Sequence, residues 1–341
     1  MSDVSLLKFQ PDYFKTELRE GYVVEELTKH AWAAEMEVLA EIDAICKRHG
    51  LKYFADWGTM LGAVRHKGFI PWDDDLDIAM LRDDLMTFIS VAPQELPSGS
   101  VLLTPYNTKD SMTEVYRVSN SEWINIGEAF NEKYHSFPFA AGIDIFPYDY
   151  IPEDPVLQDQ QIELLTAILE AGLAWTRDDI SLPVKREYTK KAEALTGLHF
   201  TEDDTIVAQM ARAQDAICAL YKKGDSGLVG ISYRMRYDRE KEPKPLQWYD
   251  ELIDMPFESI TIPVPKEYDK VLTLRYGDYM TPLLIPDHDY PFYASQIKVF
   301  NDYLKKNHMT YDPLYTEDRQ TKRLSEAMKN GLHKQEIKDG I

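Results

Sequence analysis

Residues 53–80 read YFADWGTMLGAVRHKGFIPWDDDLDIAM, and no other stretch of the 341-residue chain restricts its fold as tightly. Four aspartates fall within five positions, Asp73, Asp74, Asp75 and Asp77. Carboxylates packed this densely repel one another unless they are solvated or bound to cations. Yet the run passes straight into apolar sequence, with Leu76 and Ile78 interleaved and Ala79 and Met80 following. A strand reconciles the two demands, because successive side chains alternate faces. Residues 75–80 are therefore predicted as a strand with Asp75 and Asp77 on one face and Leu76 and Ile78 on the other, in a core. Upstream, residues 52–57 read as a short strand and residues 59–65 as one or two helical turns. Gly58 between them permits a tight turn and close backbone approach to a ligand.

Two carboxylates on one strand face can hold divalent cations from the same side. Oxygen-only ligands suit Mg²⁺ or Mn²⁺, which take further oxygens from substrate phosphates. Asp144 is the candidate third acid, because residues 142–146 read GIDIF and the flanking isoleucines force its side chain to the opposite face. Three such acids suit a two-ion site for in-line displacement at phosphorus. Gly58 and Thr59 present backbone N–H groups and a hydroxyl to phosphate oxygens. Arg65, His66 and Lys67 offer positive charge for a phosphate ester.

The surroundings read as a mixed fold. Residues 21–49 show apolar side chains at threes and fours (Val24, Leu27, Ala31, Ala34, Val38, Ile42, Ile45), the period of an amphipathic helix. Basic residues 47–49 and Gly50 mark its end. Residues 83–91 read as helix, and residues 101–104, 114–118, 123–126 and 142–146 as strands joined by short turns, which implies antiparallel pairing. Residues 154–175, 184–195 and 202–223 read as helices, with Thr201 as the last one's N-cap. Residues 228–233 and 259–262 return to strand, residues 268–276 and 292–306 to helix, and 316–341 to a charged surface helix.

Composition narrows the class of function. The net charge is −20, from 58 acidic against 38 basic residues, which disfavours nucleic acid or an anionic membrane as a partner. Two cysteines, Cys46 and Cys218, make neither a disulfide framework nor a metal motif. No secretory signal and no membrane-spanning run is visible, so a cytoplasmic location is expected.

Three segments together resemble the LicD family, which includes bacterial phosphocholine transferases and is related to fukutin and fukutin-related protein. They are GTMLGAVRHKGFIPWDDDLDIAM (58–80), GIDIFPYDYIP (142–152) and PVPKEYDKVLTLRYGDYMTP (263–282). The resemblance runs from about residue 24 to residue 282 and implies a nucleotidyltransferase fold of the polymerase-beta type. That is an α+β core sheet flanked by helices, here with a helical insert. Residues 1–150 would form the first part of the catalytic core, 151–226 the insert or subdomain, 227–310 the rest of the core and 311–341 a charged tail.

By the same resemblance Asp75, Asp77 and Asp144 match the metal-binding and catalytic acids, Asp144 serving as general base. Gly58 and Thr59 match the phosphate-binding turn, with Thr where many relatives have Ser. Arg65, His66 and Lys67 match the basic segment at the donor pyrophosphate or the acceptor. Trp72 and Asp73 would shape the loop, Asp74 would support the metal ligands, and Tyr276, in the YGDYM element, would contact substrate. His288 lies in a looser match. The implied reaction moves phosphocholine, or a related phospho-alcohol, from a CDP-alcohol such as CDP-choline to a sugar hydroxyl. The acceptor would be a cell-surface glycan, lipopolysaccharide or teichoic acid precursor, and CMP would be released. A choline head group calls for an aromatic cage, for which Tyr134, Trp248 and Tyr249 are candidates. Two rivals keep the fold: a nucleotidyltransferase moving NMP onto a small molecule or protein, and an inactive nucleotide-binding scaffold.

Overall fold

A hairpin, and not a helix, receives the chain at residue 21. The structure, a computed structural model, describes residues 4–284, 294–306 and 308. After a 3-10 turn (Pro11–Phe14), strands β1 (Glu17–Arg19) and β2 (Tyr22–Val24) pair antiparallel. Glu20 and Gly21 connect them at φ 48° and 84°, the left-handed pair that a two-residue hairpin turn requires. The expected helix therefore starts five residues late, as α1 (Glu26–His49). Val24 keeps its buried place, but as a strand residue. The helix ends as expected, at Gly50 with φ 66° and three basic residues in the last turn. Ala31, Ala34, Val38, Ile42 and Ile45 are fully buried. Burying each isoleucine or valine contributes about 1.5–3 kcal/mol over leaving it exposed.

The sheet is built next. Chain order gives β3 (Phe54–Ala55), α2 (Trp57–Arg65), β4 (Leu76–Leu81), α3 (Arg82–Glu95), β5 (Val101–Leu103), β6 (Tyr116–Ser119), α4 (Glu128–Lys133) and β7 (Gly142–Ile151). The strands lie in the order β3-β4-β7-β6-β5. Only β4 and β7 run parallel; the other pairs are antiparallel. The fold is thus α+β, with the antiparallel character expected from the short turns. In the β4–β7 register Leu76 faces Ile143, Asp77 faces Asp144 and Ile78 faces Ile145. The four apolar members are fully buried, so the aliphatic side of both strands enters the core and the acids share the other side. Residues 123–126 are not a strand. The chain leaves β6 through the Ser119–Ser121 turn, and Trp123 is exposed.

Three helices follow, α5 (Pro155–Thr176), α6 (Leu182–Thr196) and α7 (Ile206–Cys218). Leu165, Ile168 and Met210 belong to the same continuous core as the sheet. Helix α7 is shorter than expected because Asp203 accepts from both the N–H and the hydroxyl of Thr205, turning residues 201–205 away from helical geometry. Strand β8 (Leu228–Gly230) pairs with β7 and with β9 (Lys244–Pro245). Residues 231–233 leave the strand for a 3-10 turn (Ser232–Arg236).

A second hairpin, β10 (Leu252–Phe257) with β11 (Ile260–Pro265), was half hidden in the sequence. Asp254 and Pro256 make β10 read as loop, and both are exposed on its outer side. Helix α8 (Tyr268–Tyr276) matches expectation, and α9 (Ala294–Lys306) closes the described chain. His288 and residues 316–341 lie outside the described residues.

Candidate functional site

Helix α2 is the scaffold on which the site residues meet. Its N-cap, Asp56, is fully buried; the carboxylate accepts from Arg275 at 2.6 Å and from the Tyr148 hydroxyl at 3.0 Å. Burial opposes the Arg275 charge, but Asp56 beside it holds the guanidinium well above its usual pKa. Trp57 follows at φ 43°, an unfavourable conformation for a bulky residue. Arg275 and Arg234 lie 3.7 and 4.4 Å from its ring centroid, and Phe146 packs nearby. These cation–π contacts fix the turn that delivers Gly58 and Thr59. A Cβ on Gly58 would overlap the end of the Asp73 carboxylate, so a larger residue there would push that side chain from its place. Thr59 is buried, and its hydroxyl accepts the backbone N–H of Asp77 at 2.7 Å. The Gly-Thr turn therefore positions the acids, and the Thr59 hydroxyl keeps its own proton for donation.

The acids converge at the start of β4. Asp73, Asp74 and Asp75 each bring a carboxylate oxygen within 4.8 Å of the other two, the one such trio of potential metal ligands among the described residues. Asp75 lies just before β4, so the loop and not strand alternation sets its partners. Asp77 sits across from Asp144 in register. Burial first, and then Asp75, Asp144, Asp73 and Asp56, hold the Asp77 carboxyl well above the usual range. Asp144 is held by Arg117, its register partner on β6, in a two-pronged pair at 2.5 and 2.8 Å. The Arg117 side chain remains 37% exposed, which leaves it reachable by an anion.

From below, α1 contributes two further residues. Trp32 donates its indole N–H to the Asp73 carbonyl at 3.1 Å and stacks on Phe69. Glu35 is fully buried. Burial, then Asp75, Asp74, Asp73 and Asp77, raise its carboxyl well above the usual value. An all-oxygen donor set of this kind fits a hard divalent cation such as Mg²⁺ or Mn²⁺. Asp73–Asp75 would hold it, with Asp77 alongside.

The basic segment lies at the opposite end of α2, roughly 9 Å along the helix from Thr59 at 1.5 Å per residue. Arg65 donates to the Tyr279 carbonyl at 2.7 Å and to His66 Nε2 at 2.8 Å. His66 in turn meets Glu20 through Nδ1 at 2.9 Å. Burial and the neighbouring Arg65 lower the His66 pKa, so the ring is neutral, accepting at Nε2 and donating at Nδ1. Lys67 is exposed, and its carbonyl accepts the Glu258 N–H. Arg65 and His66 thus clasp the YGDYM segment and the first hairpin. Tyr276 is 38% exposed; burial of its hydroxyl and, against the opposing Arg275, the charges of Asp56, Asp73 and Asp77 raise its pKa.

Sequence reasoning missed Asp56, Trp57, Arg117, Arg234, Arg275 and Glu35. Glu35 alone left a local signal, as a carboxylate inside the apolar stripe of α1. The others take their places only through register or chain return. Of the cage candidates, Tyr134 and Tyr249 are core residues: Tyr134 donates to Glu41, and Tyr249 packs on Phe54 and Tyr148. Trp57 and Phe146 pack on each other beside the Asp56–Arg275 pair.

Residues 50–161 match the family profile described as LicD/FKTN/FKRP, nucleotidyltransferase domain. That span contains the Gly-Thr turn, the aspartate run, Arg117 and Asp144. The chain is 27% identical over 259 residues to the lipopolysaccharide cholinephosphotransferase LicD of Haemophilus influenzae, covering 74% of this chain and 91% of that protein. Uncharacterized proteins of Rickettsia typhi and Rickettsia prowazekii share 40% and 38% identity over 58 residues, 17% of this chain and 19% and 22% of theirs. No helix among the described residues is long and apolar enough to cross a membrane. Over residues 50–161 the chain is thus similar to the LicD/FKTN/FKRP nucleotidyltransferase domain, and its likeness to the Haemophilus protein extends along 259 residues.

Proposed function

We propose that this protein transfers phosphocholine, or a closely related phospho-alcohol, from a CDP-alcohol to a sugar hydroxyl of a surface glycan such as lipopolysaccharide. CDP-choline is the leading donor. The observation that carries the reading is the convergence of Asp73–Asp75, Asp77 and Asp144 beside the Gly58-Thr59 turn, in a chain related to a cholinephosphotransferase. A divalent cation held by the aspartates would neutralise phosphate charge and polarise the phosphorus centre.

The chain's own residues do the remainder. Arg117, paired with Asp144 and partly exposed, would take donor phosphate oxygens. A carboxylate of the Asp77–Asp144 pair accepts the proton of the attacking sugar hydroxyl. The new bond joins that oxygen to the phosphorus bearing the alcohol. The bond from this phosphorus to the bridging oxygen breaks, and CMP leaves with the oxygen.

The test supplies purified protein with CDP-choline, CDP-glycerol, CDP-ribitol or CTP, each with and without glycan. CMP release that needs both donor and glycan, and that stops with EDTA, supports the reading. Pyrophosphate release from CTP would instead identify a nucleotidyltransferase. A rate unchanged by EDTA would remove the metal from the mechanism.

A further inference from the structure

Helix α1 buries three glutamates, and they are treated differently. Glu37 is met by the backbone N–H groups of Leu6 and Leu7, by Ser5 and by His135. Glu41 is met by Lys133 at 2.9 Å and by the Tyr134 hydroxyl. Glu35 is as deeply buried as either, yet neither of its oxygens has a hydrogen-bond partner among the described residues. An isolated buried carboxylate costs several kcal/mol, so its retention in the apolar stripe of a central helix calls for a reason.

Its orientation supplies one. Trp32, one helical turn earlier, is anchored to the Asp73 carbonyl, so this face of α1 is turned to the aspartate run. Residues three apart share a helix face, which aims Glu35 at the same segment. The strongest charge neighbours of Glu35 are Asp75, Asp74, Asp73 and Asp77, with no cation among them. The anion cluster is thereby extended into the core from a second element, 38 residues away in sequence from Asp73 to Glu35 by subtraction.

We propose that Glu35 forms the inner wall of a divalent-cation site whose outer ligands are Asp73, Asp74 and Asp75. The inference deepens the metal-dependent reading of this site, and its test needs neither donor nor acceptor. A bound cation turns the carboxylate crowding from repulsion into coordination and ties α1 to the loop before β4. Glu35 then senses the ion from the buried side while substrate phosphate approaches the open side.

The experiment titrates Mn²⁺ into the full chain, following free ion by electron paramagnetic resonance, and records melting temperature with and without Mg²⁺. Glu35→Gln is expected to weaken Mn²⁺ binding at least about tenfold and to remove most of the Mg²⁺-induced rise in melting temperature. The metal-free variant should melt no lower than the metal-free wild type, because a repelling charge has gone. Glu35→Asp, which keeps the charge but withdraws it by one methylene, should bind Mn²⁺ more tightly than Glu35→Gln. A merely structural glutamate gives the opposite pattern, a lower metal-free melting temperature with unchanged Mn²⁺ affinity, and overturns the proposal. If Glu35→Gln does not fold, wild-type affinity in Glu35→Asp overturns it equally. Loss of Mn²⁺ affinity in Glu35→Gln, beside a metal-bound wild type that does not turn over CDP-choline with glycan, would keep the cation site and reject the transferase reading.

Discussion

Asp149 and Asp215 are buried beside Arg82, whereas half-buried Asp77 and fully buried Glu35 lie beside other acids. Arg82 donates to Asp149 at 2.7 Å and to Asp215 at 2.9 Å, and the Tyr106 and Tyr116 hydroxyls complete Asp215. The network joins the start of α3 to β7 and α7. Where burial would discharge Arg82, the two aspartates hold its charge well above the usual pKa. At the aspartate run the same physics pushes carboxyl pKa values up, because the neighbours share the sign. The fold evidently supplies a cation where a buried acid serves structure. At the aspartate run, Glu35 is given none by the described side chains. The first arrangement holds helices to the sheet; the second leaves acids beside acids, as the proposed cation site requires.

The strongest test of that contrast is Asp75→Asn. It should lower CMP release by roughly 10³-fold, the loss of several kcal/mol of transition-state stabilisation, while circular dichroism and metal-free melting temperature stay at or above wild type. Unfolding of this variant would show the run to be structural. Arg82→Ala is the converse. Leaving Asp149 and Asp215 without their cation should destabilise the protein by about 3–5 kcal/mol in urea titrations, and a neutral result would remove the distinction between the two clusters.

Thr59→Val strands the Asp77 N–H, at a cost of about 1–3 kcal/mol, and should reduce kcat more than it raises KM. Thr59→Ser should restore both parameters. If the valine variant keeps full kcat, Thr59 does not position Asp77.

The smallest effect is at the far end of α2. His66 has a folded pKa below the ordinary histidine value of 6.5, so the unfolded chain binds its proton more readily. Its contribution to stability is present above about pH 6.5 and is lost as pH falls toward the depressed folded value. His66→Gln should flatten the melting temperature between pH 7 and 5, with CMP release near wild type at pH 7.5. A large loss of activity at neutral pH would return the basic segment to the substrate.

Much of this site could be read before any coordinates. The L-D-I and I-D-I strands, the Gly-Thr turn and the helices before and after them follow from local rules of periodicity and turn chemistry. Where local reading failed, a nonlocal or competing interaction was responsible. The left-handed Glu20-Gly21 turn made strand of what the apolar spacing read as helix. Asp203 diverted the start of α7, and pairing with β11 made a strand of residues that include Pro256.

The sequence by itself determined which residue types alternate, and hence that acids would line one face of a strand whose other face is core. Backbone geometry alone enforces that, since side chains two apart in an extended chain point the same way. Tertiary structure decided the company those acids keep. It set Asp144 opposite Asp77 and under Arg117, matched Asp56 with Arg275 across 219 residues, folded Asp73 and Asp74 back onto Asp75, and moved Arg65 and His66 away to clasp another segment. It also turned Glu35 inward with no hydrogen-bond partner among the described residues. Charge interactions act through space and not along the chain, so which carboxylate is neutralised and which is left to bind a cation is fixed only when distant segments pack.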